Sequence, residues 1–196
     1  MEMGEVVRKY FLTLYHGTND ICSDLICKGG FKEPSKKRND HWLGNGVYFF
    51  REDEEQAYVW GKSRYQYCKE TRKIIVLEAY IELEARFFLN LDSRQGIEKF
   101  IGLVDEIEEQ VEELGIEYET DDPAKLRHLF FGMLPDQYKA VQRTFTGKSH
   151  IDNHTLLGLM DLRLHGVQVC VRDISVINDI KVVRSSPKIK KRKKII

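Results

Sequence analysis

No stretch of the chain stays apolar for more than about four residues, as in Ile74-Ile75-Val76-Leu77, and this excludes a membrane-spanning helix. The opening segment, MEMGEVVRKYFLTLYHG, lacks an unbroken apolar run behind a basic start, so no secretory leader is expected. None of the four cysteines, Cys22, Cys27, Cys68 and Cys170, stands in a C-x-x-C pair. Without an export signal they read as reduced thiols of a cytoplasmic protein, with Cys68 and Cys170 as small buried apolar residues. No Gly/Ser-rich or Pro-rich linker and no internal repeat divides the chain. Net charge is lacking too, since 31 Lys and Arg balance 31 Asp and Glu.

What is present describes one globular domain. The 196 residues are 42% hydrophobic and 32% charged, enough to build a core and too apolar for wholesale disorder. The balanced charge hides an asymmetry. Residues 184–196, RSSPKIKKRKKII, hold seven Lys or Arg and no acid, which leaves the rest of the chain seven acidic charges in excess. Ten of the acids fall between Asp105 and Asp122, most simply as a solvated helix face and a polar loop.

Residues 10–15, YFLTLY, predict a β-strand, being rich in aromatic and β-branched side chains. A short helix is expected over about 20–28, capped by Asn19 or Asp20 and ended by Gly29-Gly30. Residues 31–44 are polar, carry Pro34 and the run Lys36-Lys37-Arg38, and read as a loop. A strand over 46–50 and a helix over 52–68 follow, the helix with acids in its first turn and Ala57, Trp60 and Arg64 on one face. Residues 73–91 predict one long strand or two. Ile97, Phe100, Ile101, Val104, Ile107, Val111 and Leu114 recur at three- and four-residue steps, an amphipathic helix ended by Gly115. Further helices are expected at 123–132, at 135–143 with Pro135 in first position, and at 154–164. Strands return at 167–172 and 180–184. The plan is α+β: strands, a helical insert over about 93–165, then strands, forming a single domain of residues 1–184 with a basic tail of 185–196.

Two short stretches carry chemistry. One is Leu14-Tyr15-His16-Gly17-Thr18 at the end of the first strand; the other is Gly44-Asn45-Gly46-Val47-Tyr48-Phe49-Phe50 entering the next. Each sets glycine beside a side chain able to hold a ligand. Glycine admits close backbone approach, histidine offers a ring nitrogen to a hydroxyl, and tyrosine offers a flat face. Together they describe a site for a flat carboxamide ring joined to a ribose. His150 and His154 stand four apart, but no convincing further metal ligands accompany them, so no metal is expected.

Tyr-His-Gly-Thr followed by Gly-Asn-Gly-Val-Tyr-Phe resembles the ADP-ribosyltransferase fold, on the branch of diphtheria toxin and the poly(ADP-ribose) polymerases. That branch is named for a His-Tyr-Glu triad, and the 32 residues from His16 to Tyr48 suit it. The resemblance covers residues 10–90 well and 166–184 more loosely. It implies a split β-sheet core and NAD as co-substrate. His16 would bond the adenosine ribose hydroxyl, and Gly17 would hold the nicotinamide carboxamide through its backbone, with Thr18 and Gly46 lining the same site. Tyr48, with Tyr58 or Trp60, would sandwich the nicotinamide ring. The family's glutamate falls on Gln168, which keeps a hydrogen bond and loses the charge. That loss is worth a few kcal/mol, on the order of 10²-fold in rate. The resemblance is therefore to a His-Tyr-Gln variant suited to single transfer rather than chain elongation.

Small stand-alone transferases of this fold are often toxins of bacterial toxin–antitoxin or phage-defence systems. By that analogy the expected activity is mono-ADP-ribosylation in the cytoplasm, with an antitoxin partner and no membrane. The tail reads as a solubilising end, a nucleic-acid contact or a docking segment for an inhibitor. A nucleic-acid acceptor, RNA ahead of DNA, is the favoured expectation. The alternatives are a protein acceptor, or a degenerate module that holds NAD or ADP-ribose without chemistry.

Overall fold

The computed structural model describes residues 7–34, 41–115, 123–146 and 165–189. The expected helix at 154–164, the His150/His154 pair, the Lys36–Arg38 run and most of the basic tail lie outside the described residues.

Seven strands form one sheet, β1 (Lys9–Asn19), β2 (Val47–Arg51), β3 (Ile74–Glu84), β4 (Phe88–Asn90), β5 (Ala140–Thr146), β6 (His165–Val171) and β7 (Ile177–Ser185). Their order is β4-β5-β6-β2-β1-β3-β7, antiparallel throughout except for the parallel pair β4/β5. Among the described residues, four helices accompany them: α1 (Asp20–Gly29), α2 (Glu54–Tyr65), α3 (Arg94–Glu113) and α4 (Pro123–Gly132). The class is α+β, as the sequence predicts. The 73–91 segment resolves into two strands parted by a single 3-10 turn at Ala85–Phe87, and the second strand lies on the far edge of the sheet.

Local chemistry sets the helix starts. The Asn19 side chain accepts from the Cys22 amide at 2.7 Å, Asp53 from Gln56 at 2.9 Å and Ser93 from Gly96 at 3.0 Å. Each satisfies an amide that the first helical turn leaves open. Leu114 caps the C-terminus of α3, followed by Gly115 at φ 64°, a backbone angle glycine takes without strain.

Alternation along the strands divides the core between the two sheet faces. Leu12, Leu14, Val47, Phe49, Leu77, Val169 and Val171 cluster on one face, against Ile26 of α1 and Phe31 just beyond it. On the other, α3 and α4 cover Leu89, Val141 and Cys170 with Leu103 and Phe131, while α2 covers Phe50 and Val76 with Ala57.

Three expectations are corrected. Residues 135–143 are not a helix. Pro135 to Tyr138 make a turn, Tyr138 N–H donating to the Pro135 carbonyl at 3.1 Å, and β5 begins at Ala140. Ala140 and Val141 are both fully buried, one on each sheet face, and β4 and β6 take up the strand's backbone groups on its two edges. The insert of about 93–165 is accordingly not all helical. The buried stripe of α3 is Leu103, Ile107 and Val111, with Phe100 partly covered, whereas Ile97, Ile101 and Leu114 are exposed. Finally, Cys68 is exposed rather than buried; Cys170 is buried, which pushes its thiol pKa up to about 12. All four cysteines are free thiols.

Candidate functional site

The sheet opens between its two central strands. β1 pairs with β3 along all 11 of its residues, yet with β2 only at Leu14↔Arg51 and Tyr15↔Phe50. Glu52 N–H donates to the Thr13 carbonyl at 3.1 Å, so Thr13 turns its backbone toward β2. By the two-residue period of a strand, the N–H and C=O of Gly17 face that side as well. The next ladder step would join Gly17 to Tyr48. Instead, His16 Nδ1 bonds the Tyr48 carbonyl at 2.8 Å. A side chain has taken the acceptor that a continuing ladder would use, and the strands part there.

A cavity of about 500 Å³ lies at this opening. His16, Gly17 and Thr18 line it from β1, Gly46 and Tyr48 from β2 and its approach, Trp60 from α2 and Gln168 from β6. Residues far apart in sequence thus meet in one concavity. Tyr58 is not part of it. The Arg184 guanidinium of β7 sits 3.8 Å from the centroid of the Tyr58 ring. Of the two aromatics left open by the sequence, Trp60 is the one at the cavity.

Each wall has a local cause. A Cβ on Gly17 would stand 1.8 Å from the Ala57 carbonyl oxygen, so only glycine lets α2 cross β1 at this depth, and this crossing carries Trp60 to the cavity. A Cβ on Gly46 would stand 2.5 Å from the Val171 carbonyl oxygen, so the approach to β2 packs directly on β6. Tyr48 is pinned by its hydroxyl, which accepts from Leu43 N–H at 2.7 Å and donates to the Gly44 carbonyl at 2.8 Å. Its ring stacks on His41 at 5.1 Å.

The partly buried His16 ring meets Phe31 and Phe49 edge-on at 5.2 and 5.6 Å. Burial lowers its pKa, outweighing the opposing effect of the bond to the Tyr48 carbonyl. The ring is neutral at pH 7. Since its partner is a carbonyl, the proton is on Nδ1, and Nε2 presents a lone pair. The arrangement offers an acceptor for a hydroxyl, a backbone edge for an amide, and aromatic walls.

Sequence reasoning missed Phe31, His41, Trp42 and Tyr65, which also line the cavity. Three of them fall in or beside the polar stretch 31–44. The aromatic pair His41-Trp42, followed by Leu43-Gly44, was the available signal, because a solvated loop seldom spends an indole there.

Among the described residues, no group of three or more His, Cys, Asp or Glu side chains is arranged to hold a metal ion. Among them, too, no helix is long and apolar enough to cross a membrane.

No family model matches the chain. It is similar to "Uncharacterized protein MJ0359" of Methanocaldococcus jannaschii, with 43% identity over 49 residues. That stretch is 25% of this chain and spans 22% of the relative's length.

Proposed function

We propose that the chain is an NAD-dependent mono-ADP-ribosyltransferase of the His-Tyr-Gln kind. The observation that carries this reading is the break in the β1/β2 ladder. It leaves Gly17 beyond the end of the ladder and ties His16 Nδ1 to the Tyr48 carbonyl, and His16, Gly17, Tyr48 and Trp60 all line one cavity. A primary carboxamide needs one donor and one acceptor, and a strand residue beyond the end of its ladder supplies both. A ribose hydroxyl needs an acceptor, which Nε2 supplies. The nicotinamide ring of NAD is a flat pyridinium cation, and the aromatic faces of Tyr48 and Trp60 suit it.

In this reading the C–N glycosidic bond of NAD breaks and nicotinamide departs with the electron pair as a neutral molecule. The ribose C1′ becomes oxocarbenium-like. The acceptor nucleophile attacks C1′ from the face opposite nicotinamide and gives its proton to water. The Gln168 amide bonds a ribose hydroxyl without countering the positive charge. Catalysis then rests mainly on holding the bent dinucleotide in the reactive geometry.

The acceptor we propose is nucleic acid, RNA ahead of DNA, on the strength of the basic C-terminal segment. By analogy with small transferases of this kind, the protein would act in the cytoplasm as a toxin restrained by an antitoxin. Gln168 itself favours one second reading, a module that holds NAD or ADP-ribose without turnover. The deciding experiment uses NAD labelled on its adenylate phosphate, incubated with RNA, single-stranded DNA and cell protein. Label entering one pool, and lost with Tyr48→Ala, supports the transferase and names the acceptor. Nicotinamide release with no labelled pool points to NAD hydrolysis. Binding with neither signal favours the module, and no binding at all overturns both readings.

A further inference from the structure

We infer that the connection from α2 to β3, together with the stretch that follows β7, forms a platform for single-stranded RNA. This rests on the reading of the acceptor as nucleic acid. Residues 62–73, KSRYQYCKETRK, hold five Lys or Arg and one acid in a chain whose net charge is zero. Lys62, Arg64, Lys69 and Arg72 are exposed, and Lys73 is half-buried. Lys62 and Arg64 stand in the last turn of α2, where the helix end favours cations. Lys69, Arg72 and Lys73 lie beyond the helix, which does not account for them. Tyr67 stands among these cations at 87% exposure, the highest of the exposed large hydrophobic side chains among the described residues. A ring so exposed adds little to the core. An aromatic ring amid cations is the pattern of single-strand recognition, in which the cations hold phosphates and a base stacks on the ring.

The fold joins this segment to two things far from it in sequence. The first is the start of the basic tail. Ser186 N–H donates to the Ile74 carbonyl at 2.8 Å, and Ile189 N–H donates to the Arg72 carbonyl at 2.8 Å. The exposed Lys188 is thereby carried to the edge where Arg72 stands. The second is the cavity, which the segment borders at both its ends. Tyr65, at the end of α2, lines the cavity. At the other end the Asn19 amide donates to the Thr71 hydroxyl at 3.3 Å, and the Asp20 carboxylate accepts from the Arg72 and Lys73 amides at 3.0 and 3.3 Å. Asn19 directly follows Thr18, which lines the cavity too. A strand held on this surface runs along the border of the site. An anionic membrane would also meet the cations, but one isolated ring is not the apolar face that membrane burial uses.

The test reads binding without NAD, so that it is independent of turnover. The probe is a fluorescein-labelled single-stranded RNA of about 12 nucleotides, titrated between about 50 and 200 mM salt. The variants are Tyr67→Ala, Tyr67→Phe, and Lys69→Gln combined with Lys188→Gln. A control pair, Lys9→Gln with Lys99→Gln, removes two exposed cations from β1 and α3 instead. Loss of one stacked base should weaken binding about tenfold in Tyr67→Ala, and Tyr67→Phe should restore most of it. Removing two phosphate contacts should make the slope of log affinity against log salt shallower by about 1.4 in the Lys69/Lys188 pair. The control pair should leave both affinity and slope unchanged. Duplex RNA should bind without regard to Tyr67, because its bases are already stacked. Thermal melting checks that each variant is folded.

RNA affinity that is indifferent to Tyr67 and to the Lys69/Lys188 pair overturns the platform. So does an equal loss in the control pair, and so does binding to phosphatidylserine vesicles with none to RNA. The acceptor reading is judged separately, by label transferred from NAD. RNA that binds through Tyr67 and the lysines but takes up no label keeps the platform and overturns RNA as the acceptor. Label that enters RNA equally well in the unaltered chain, Tyr67→Ala and the Lys69/Lys188 pair keeps RNA as the acceptor and overturns the platform.

Discussion

Gly61 of α2 lies against Gly17 of β1 with no side chain between them; a Cβ on Gly61 would stand 3.0 Å from the Gly17 carbonyl carbon. The cavity depends on this contact, because it fixes both the Gly17 edge and the helix that carries Trp60. Gly17→Ala drives a methyl group into the Ala57 carbonyl and should cost about 3 kcal/mol or more. Gly61→Ala meets backbone at slightly longer range and gains helix propensity, so a net cost of about 1–2 kcal/mol is expected. Urea unfolding measures both. Equal stability of Gly17→Ala and the unaltered chain would show that α2 does not cross β1 so closely.

His16 supplies a pH test. Its pKa lies below the ordinary histidine value because the ring is buried. The unfolded chain takes up a proton near pH 6.5 that the folded chain refuses. Stability from this group is therefore intact above pH 6.5 and declines as pH falls from there toward the folded pKa. Ligand binding through the Nε2 lone pair should hold down through pH 6.5 and fail only below it. Following the His16 ring by NMR checks this, and a midpoint at or above 6.5 is the contrary result.

The Tyr48 hydroxyl and ring have separable duties. Tyr48→Phe removes the partner of Leu43 N–H, in a residue only 1% exposed, and the bond to the Gly44 carbonyl. A stability loss of about 1–3 kcal/mol is expected, with nicotinamide binding kept within a few-fold because the flat ring stays. Tyr48→Ala should lose both. Calorimetric unfolding and a binding titration on the same samples separate the effects, and a Phe variant that binds no better than Ala would contradict this division.

How legible this was in the sequence differs from residue to residue. Asn19, Ser93 and Gly115 act within one helical turn of their own position, so local pattern suffices to find helix ends. Leu12, Phe49 and Val169 lie on strands whose alternation announces a buried face. β5 was hidden because Ala140 and Val141 are buried by β4 and β6, strands about fifty and thirty residues away in sequence. The choice of Trp60 over Tyr58 was hidden in the same way, being set by Arg184 and by the depth at which α2 crosses Gly17. That His16, Gly17 and Tyr48 share one cavity was legible because they stand in short motifs at strand ends. His41 and Trp42 were not legible, because a polar neighbourhood masked a buried imidazole and an indole that lines the cavity.

Tyr58 and Trp60 are two residues apart, and the structure separates their positions, Trp60 at the cavity and Tyr58 under Arg184. Trp60→Ala should weaken nicotinamide mononucleotide by about tenfold or more, as loss of one stacking face. Tyr58→Ala removes the ring under Arg184, a cation–π contact worth about 0.5–1 kcal/mol at a partly exposed position, together with its packing on the Phe50, Ala57 and Val76 cluster. It should lower stability slightly and leave ligand affinity unchanged. The reverse ranking in a binding titration would mean that α2 is rotated from the position described.

On the proposed reading, Gln168 decides between turnover and mere binding. It lies opposite Phe50 on β2 and Arg143 on β5 and lines the cavity; its amide would then stand where a carboxylate counters a developing positive charge. If chemistry limits the rate, Gln168→Glu should raise nicotinamide release on the order of 10²-fold at pH 7, and Gln168→Ala should lower it through the lost hydrogen bond to ribose. Both should bind ADP-ribose within about tenfold of the unaltered chain, because the larger effect is confined to the transition state. The rise should fade below the glutamate pKa, as protonation returns the side chain to a neutral hydrogen-bonding group. A Gln168→Glu chain no faster than Gln168→Ala, with binding intact, would mean that residue 168 does not face the reacting ribose and that another residue fills the third position.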